Sequence, residues 1–282
     1  MDPKLESFAA LCKTMHYGRA AEALNVSQPT VSKHIRALEE EYGAPLFQYA
    51  GRRLRLTAQG KLLLQYTQSL RYNEAALLHA MRDKPRDVLR IGATKSIGDY
   101  ILLPEIRRFL TAGENELEFL VDNTANLLAH LEDGALDFVI LEGIFDKSRY
   151  DSFLFRREPY VGVCAADAPI CGRKLTPEEL FGERLILRER GSGTRNILER
   201  ELAEQGYRTD AFRVQVCISS FKLIRDLVRE GFGISFVYEA VVKDDDAIGR
   251  FFCPPLTGSH ELNAVFLKNT QAGRLAQQFL QP

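Results

Sequence analysis

The stretch AAEALNVSQPTVSKHIRALE, residues 20–39, decides how the first part of the chain folds. Residues 20–24 are rich in Ala and Leu and read as a short helix, which Asn25-Val26 interrupts. Ser27 then offers a side-chain oxygen to cap a second helix, and Pro29 falls in that helix's first turn, where its missing N–H costs little. Val31, Ile35 and Leu38 recur at i, i+4 and i+7, giving one apolar stripe. The opposite face carries Gln28, Thr30, Ser32, Lys33 and Arg36, all able to hydrogen-bond bases or phosphates. Two short helices joined by a tight turn, the second amphipathic and rich in donors, describe a helix-turn-helix. Taken alone, the stretch also fits a pair of surface helices with a solvated polar face. The residues around it decide between the two.

Downstream, Leu46-Phe47-Gln48-Tyr49 and Leu54-Arg55-Leu56 alternate like two short strands around Ala50-Gly51-Arg52-Arg53, a hairpin with a basic tip. Upstream, residues 5–15 form an amphipathic helix with Leu5, Phe8, Leu11, Cys12 and Met15 on one side, placed to cover the back of the second helix. The whole segment RAAEALNVSQPTVSKHIRALEEEYGAPLFQYAGRRLRLTAQG, residues 19–60, resembles the LysR-type transcriptional regulators, and the resemblance continues to the C-terminus. It implies a winged helix-turn-helix over residues 1–57, a dimerising linker helix over 58–82 and a hinge at 83–87. An α/β two-lobed regulatory domain of the periplasmic-binding-protein type then fills 88–282, with lobe I at about 88–142 and 252–282 and lobe II at about 143–251. Two departures stand out. Gly18-Arg19 opens a helix where the family usually places a Ser or Thr cap, and Tyr49 replaces a basic residue common before the wing turn.

A chain of 282 residues suits two or three domains. Its net charge is −1, so no global field draws it to nucleic acid, and the positive charge has to be local, at Lys33, Arg36, Arg52, Arg53 and Arg55. Glu39-Glu40-Glu41 lies past the contact face and is expected only to solvate the helix end. No basic segment followed by an apolar one opens the chain, and no run of about 18 apolar residues occurs, so neither a signal peptide nor a membrane span is expected. The five cysteines are irregularly spaced, with no CxxC pair, which fits a reducing cytoplasm.

Thr57 is placed to cap a long helix over 58–81. Leu63, Leu70 and Leu77 are seven apart, with Tyr66, Asn73 and Ala80 three further on, which reads as an a/d seam on which Asn73 could fix register. A helix packed on its own domain would show a similar stripe; the dimerising reading is the one the resemblance implies. From Val88 the texture becomes βαβαβ, with strands at 89–93, 117–121 and 138–141 and helices at 101–110 and 125–133, arguing a mostly parallel sheet. A second α/β unit has strands within 153–163 and at 185–187, 212–218 and 234–237, with helices at 177–181, 194–205 and 221–230. A strand at 261–267 and a helix at 270–280 close the chain, and the family topology implies that they return to the first lobe.

Residues near the N-terminus of a helix in the major groove meet base edges. The expected groove-facing set is therefore Gln28, Pro29, Thr30, Ser32 and Lys33, with Gln28 bidentate on adenine and Arg36 on guanine or phosphate. Arg52 and Arg53 on the wing are expected at phosphates or in the minor groove, where they position rather than specify. In α/β lobes, ligands sit at the carboxyl ends of strands against helix N-termini. Four turns have that placement: Thr94-Lys95-Ser96, Asn123-Thr124, Ser192-Gly193-Thr194 within the Gly-rich run 188–195, and Ser219-Ser220. Each alone reads as helix capping; together they would line one interlobe cleft. The resemblance puts inducers at the first turn and the Gly-Ser-Gly-Thr turn. Many hydroxyls, some Lys and Arg and few acids argue for a small anionic effector.

The same lobes also suit a solute-binding protein of a transporter or an enzyme. The first reading leaves residues 1–57 unexplained and lacks an export signal. The second lacks support: His16, His34, His79, His130 and His260 are scattered, and no HExxH, GxSxG or P-loop pattern occurs. Between Cys164 and Cys171 no basic side chain stands to activate a thiol, so both read as structural. The expectation is a cytoplasmic regulator without cofactor, metal or enzymatic activity. Its partners would be double-stranded promoter or operator DNA, a small effector, a second copy of itself in a dimer or tetramer, and RNA polymerase as a further candidate, with no membrane.

Overall fold

The computed structural model describes residues 1–81, 88–143 and 145–281, so the expected hinge at 83–87 lies outside the described residues. Two compact units form, one holding the N-terminal elements and the other most of the chain from residue 88 on. No helix among the described residues is long and apolar enough to cross a membrane.

The first unit contains α1 (Pro3–Thr14), α2 (Tyr17–Ala23), α3 (Gln28–Tyr42), β1 (Phe47–Ala50), β2 (Arg53–Leu56) and α4 (Ala58–Ala80). Ser27 caps α3 as expected, its Oγ accepting from the Thr30 N–H at 3.3 Å, and the helix ends at Gly43 in the left-handed region, φ 65°. The stripe Val31, Ile35 and Leu38 is buried against Leu5, Phe8, Leu11, Ala20, Ala21, Leu46, Phe47 and Leu63. Each large apolar side chain so covered contributes about 1.5–3 kcal/mol. This burial, more than helix propensity, holds helices of 7 to 15 residues together.

Three local expectations are corrected. The cap of α2 is His16, whose Nδ1 accepts from the Arg19 N–H at 3.3 Å, while Gly18 sits inside the first turn. A Cβ on Gly18 would stand 3.1 Å from His16 Cε1, so the glycine makes room for the imidazole cap. Glu39 does not merely solvate the helix end: its Oε1 accepts from the Leu46 N–H at 2.8 Å and ties the base of the hairpin to α3. Glu41 pairs with Lys4 at 2.6 Å. In the hairpin, Ala50 faces Arg53 across a two-residue turn, Gly51-Arg52, with Gly51 at φ 63°, so Arg53 belongs to a strand rather than to the tip. Thr57 caps α4, accepting from the Gly60 N–H at 2.9 Å and donating to the Pro45 carbonyl at 2.7 Å. At Gly60 a Cβ would overlap the Leu46 carbonyl oxygen, which is why glycine stands where α4 meets the hairpin.

The second unit runs β3 (Val88–Thr94), α5 (Lys95–Tyr100), α6 (Leu103–Thr111), β4 (Glu116–Asp122), α7 (Thr124–Glu132), β5 (Phe138–Glu142) and β6 (Tyr150–Ala165). It continues through α8 (Pro177–Leu180), β7 (Arg184–Leu187), α9 (Gly193–Glu204), β8 (Val214–Cys217), α10 (Phe221–Arg229), β9 (Ser235–Tyr238), β10 (Ile248–Phe251), β11 (Gly258–Leu267) and α11 (Ala272–Leu280). The main sheet has the order β10-β6-β11-β5-β3-β4, with β9 also paired to β6. In the first lobe β3 pairs in parallel with both β4 and β5, as the βαβαβ pattern demands. The tail strand β11 returns antiparallel to β5. The second lobe is more mixed than the sequence suggests: β6 runs antiparallel to β9 and β10, and β7 and β8 form a separate parallel pair. β5, apolar from Phe138 to Leu141 and ending in Glu142, is buried at every position, as a strand covered on both faces should be. The helix expected at 101–110 is realised as α6, and an unexpected short helix, α5, precedes it. The chain turns between them at Ile101-Leu102, whose N–H groups both return to the Ile97 carbonyl, and Pro104 falls in the first turn of α6.

Candidate DNA-binding face and effector cleft

On α3, Gln28, Pro29, Lys33 and Arg36 are exposed and Thr30 and Ser32 half-buried, opposite the packed stripe. The Thr30 hydroxyl is shared with Ser27 at 2.8 Å, so it also serves the cap. His34 turns inward, its Nδ1 2.8 Å from Ser7 Oγ, which separates it from the polar face. Arg52 and Arg53 stand exposed at the hairpin, and Tyr49 beside them is exposed as well. Among the described residues, none of Lys33, Arg36, Arg52 and Arg53 pairs with a carboxylate. A protein of near-neutral net charge therefore keeps a set of uncompensated cations on one helix face and one hairpin, inside its first 57 residues.

In the second unit, the ends of β3, β4, β5 and β7 converge. One small cavity of about 10 Å³ is lined by Thr94, Lys95, Ser96, Asp122, Asn123, Glu142, Arg188, Glu189, Ser192 and Gly193. Of the sequence-derived set, Thr94, Lys95, Ser96, Asn123, Ser192 and Gly193 meet there. Thr124, Thr194, Ser219 and Ser220 do not line it. Asn123 also caps α7 through Oδ1, which accepts from the Asn126 N–H at 3.0 Å. Thr194 is buried, its hydroxyl 2.9 Å from Ser192 Oγ and its carbonyl taken by the Tyr160 hydroxyl at 2.8 Å. Ser220 caps α10, accepting from the Leu223 N–H at 3.4 Å, and the Ser219 carbonyl accepts from Lys95 Nζ at 3.5 Å.

The expectation of few acids is overturned. Asp122, Glu142 and Glu189 all line the cavity. Glu142, the last residue of β5, is wholly buried and takes the two hydroxyls of the first turn: Thr94 Oγ1 donates to Oε2 and Ser96 Oγ to Oε1, the latter at 3.1 Å. Its carboxylate packs against the start of α9, so that a Cβ on Gly193 would stand 2.5 Å from Oε1. Burial pushes the Glu142 carboxyl above the usual range, against the opposing pull of the Thr94 and Ser96 hydrogen bonds and Arg188. Arg188 is buried over the Phe221 ring, 4.0 Å from its centroid, and grips Glu189 through Nε and Nη2 at 2.8 and 2.9 Å. Lys95 Nζ lies 3.6 Å from the same carboxylate. Burial opposes the charge on Glu189, but the Arg188 hydrogen bonds and charge hold its carboxyl below the usual range. The missed residues had a signal: Asp122, Glu142 and Arg188 follow strand runs directly, in the position that marked Thr94.

An N-terminal helix-turn-helix with a wing, followed by a two-lobed α/β domain with a polar cleft, is the build of a ligand-responsive DNA-binding regulator. Residues 3–61 match the model of the bacterial regulatory helix-turn-helix protein, lysR family, and residues 82–281 that of the LysR substrate binding domain. The DNA-binding transcriptional dual regulator OxyR of Escherichia coli K12 is 32% identical over 241 residues, covering 83% of this chain and 77% of that one. Among solved structures, a full-length OxyR variant of Pseudomonas aeruginosa aligns with TM-score 0.60 at 24% identity, covering 98% and 92% of the two chains. The CcmR regulatory domain of Synechocystis PCC6803, in complex with 2-PG, aligns with TM-score 0.62 at 17% identity, covering 68% of this chain and 95% of that one. The chain belongs to the LysR family of transcriptional regulators.

Proposed function

We propose that the chain regulates transcription without enzymatic activity of its own. In this reading it reads duplex DNA through Gln28, Pro29, Thr30, Ser32, Lys33 and Arg36, steadied by Arg52 and Arg53 at phosphates. The uncompensated cations and amides on α3 and the hairpin carry this reading: an α-helix fits the major groove, and phosphate contacts fix its register. The expected Leu63–Leu70 seam is not free for a partner, since both residues pack into the N-terminal core and Asn73 donates to the Asn269 carbonyl at 3.1 Å. The proposed working form is at least a dimer joined along another face of α4, where Leu62, Tyr66, Leu77 and Leu78 are left largely exposed in the single chain. Light scattering on the full chain tests this; a monomer at micromolar concentration would refute it.

The effector slot in this reading is the convergence of Thr94, Lys95, Ser96, Asn123, Ser192 and Gly193, with a small oxyanion as its ligand. The N–H groups that open α9, a helix of 12 residues, favour negative charge; Lys95 and Arg188 also line the slot, both paired there with Glu189. The 2-PG complex of the CcmR domain supports the choice. A cavity of about 10 Å³ holds one water, so an effector enters only when the Glu142 side chain or the lobes move apart. Thermal-shift titration of the full chain with small anions tests this: a ligand at about 100 times its Kd stabilises by roughly 2.7 kcal/mol. The shift should shrink in Ser192→Ala and Lys95→Ala. A hit whose shift is the same in both variants would place the effector elsewhere.

A further inference from the structure

We infer that Glu142 makes the cleft select an oxyanion that still carries a proton, with hydrogen phosphate as the simplest case, over one of the same shape that carries none, such as sulfate. The inference rests on the anion-binding reading of this cleft and goes further by naming what the anion must bring with it.

The argument is one of donors and acceptors. An ionised carboxylate only accepts hydrogen bonds, and each of its oxygens has two lone-pair directions. Thr94 and Ser96 fill one on each oxygen of Glu142. Among the described residues, no further side-chain donor reaches the carboxylate, which lines the cavity and lies against the start of α9. Both cations at the cavity are already engaged by another acid, Arg188 bidentately and Lys95 at 3.6 Å, both on Glu189. An arriving anion therefore meets Asp122, Glu142 and Glu189 with little free positive charge to offset them. A fully deprotonated oxyanion would set two acceptors face to face at the buried Glu142 carboxylate, where like charges repel more strongly than in water. An anion bearing an O–H instead donates to Glu142, and its remaining oxygens are left for the N–H groups of α9 and the Ser192 side of the slot. A charge-assisted O–H···O bond of this kind is among the strong ones. Sulfate and hydrogen phosphate have nearly the same size and shape at neutral pH and differ in that one proton.

Isothermal titration of the full chain with inorganic phosphate and with sulfate, at equal ionic strength and slightly alkaline pH, reads the effect. Phosphate should bind at least about tenfold more tightly than sulfate, as expected for one lost hydrogen bond to a charged group. In Glu142→Gln, where the isosteric side-chain amide can donate, the preference should collapse or reverse. Equal binding of the two anions to the wild type overturns the inference, as does a preference unchanged in Glu142→Gln. Should that variant fail to fold, the wild-type ratio still decides. If the wild type binds both anions equally and Ser192→Ala weakens both, the cleft remains the anion site and only the selection by Glu142 is lost. If neither anion binds the wild type or Glu142→Gln, the inference and the oxyanion reading fall together.

Discussion

Removing the two wing arginines gives the sharpest test of the DNA-binding face. Arg52 occupies the hairpin turn and Arg53 the first position of β2; both are exposed and neither pairs with a carboxylate among the described residues. Their replacement by Ala should therefore change folding stability by no more than about 0.5 kcal/mol, the usual range for such surface sites. What is lost is counterion release. Each phosphate contact contributes about 0.9 to the slope of log K against log salt, so the double variant should flatten that slope by about 1.8 per chain on the duplex. At about 0.1 M salt, 0.9 × log(1/0.1) is about 0.9, or roughly eightfold in affinity for each contact. Fluorescence anisotropy with a labelled duplex of arbitrary sequence suffices, because non-specific binding rests on the same electrostatic contribution, and a series from about 50 to 200 mM salt resolves the slope. A wild-type slope in the double variant, whatever its affinity, would refute the assignment of these residues to phosphates.

Four further outcomes follow from the packing and the cleft. Phe8→Ala, at a fully buried ring 5.5 Å from Phe47, should destabilise the N-terminal unit by about 3–5 kcal/mol in thermal unfolding, and an unchanged midpoint would contradict the core assignment. Gly193→Ala should cost about 1–3 kcal/mol by driving a methyl into the Glu142 carboxylate, with much of the loss recovered in the Gly193→Ala, Glu142→Ala double variant; strict additivity of the two changes would disprove the contact. Because burial raises the folded-state pKa of Glu142, its contribution to stability is fully present below the unfolded carboxyl pKa and is lost as pH rises through the folded value. Urea denaturation at a series of pH values should therefore show Glu142→Gln gaining on the wild type as pH rises, and a constant difference would contradict this. In a thiol titration of the native chain, exposed Cys217 should react first. Cys12 and Cys164, pushed by burial up to about 12, and Cys253, to about 11, should wait for unfolding; rapid loss of Cys164 would contradict this order.

Particular residues show how much was legible in advance. The periodicity of Val31, Ile35 and Leu38 and the cap at Ser27 are local signals, and the structure realises both. The wing was legible to within one residue, because alternation marks a hairpin while the turn type, here set by Gly51 at φ 63°, decides which residues sit at its tip. The cap of α2 was misplaced because an imidazole that accepts from a backbone N–H leaves no composition signal. Glu39 looked like surface charge, since its partner, the Leu46 N–H, lies seven residues away across a turn. In the cleft, Thr94, Ser96, Asn123 and Ser192 were readable from their places after strands, but which of the four turns converge was not.

The sequence by itself determined the family, the helix-turn-helix with its polar face, and the succession of strands and helices that builds two α/β lobes, because each rests on periodicity, caps and turns within a few residues. The tertiary structure alone decided what the cleft contains. Thr94, Glu142 and Gly193 lie 48 and 51 positions apart in the chain, and only the packing of β3, β5 and α9 sets a buried carboxylate between two hydroxyls and a helix start. An acid next to a hydrophobic strand run has no partner that local pattern can supply; long-range packing supplies it, and with it the charge that the cleft presents to a ligand.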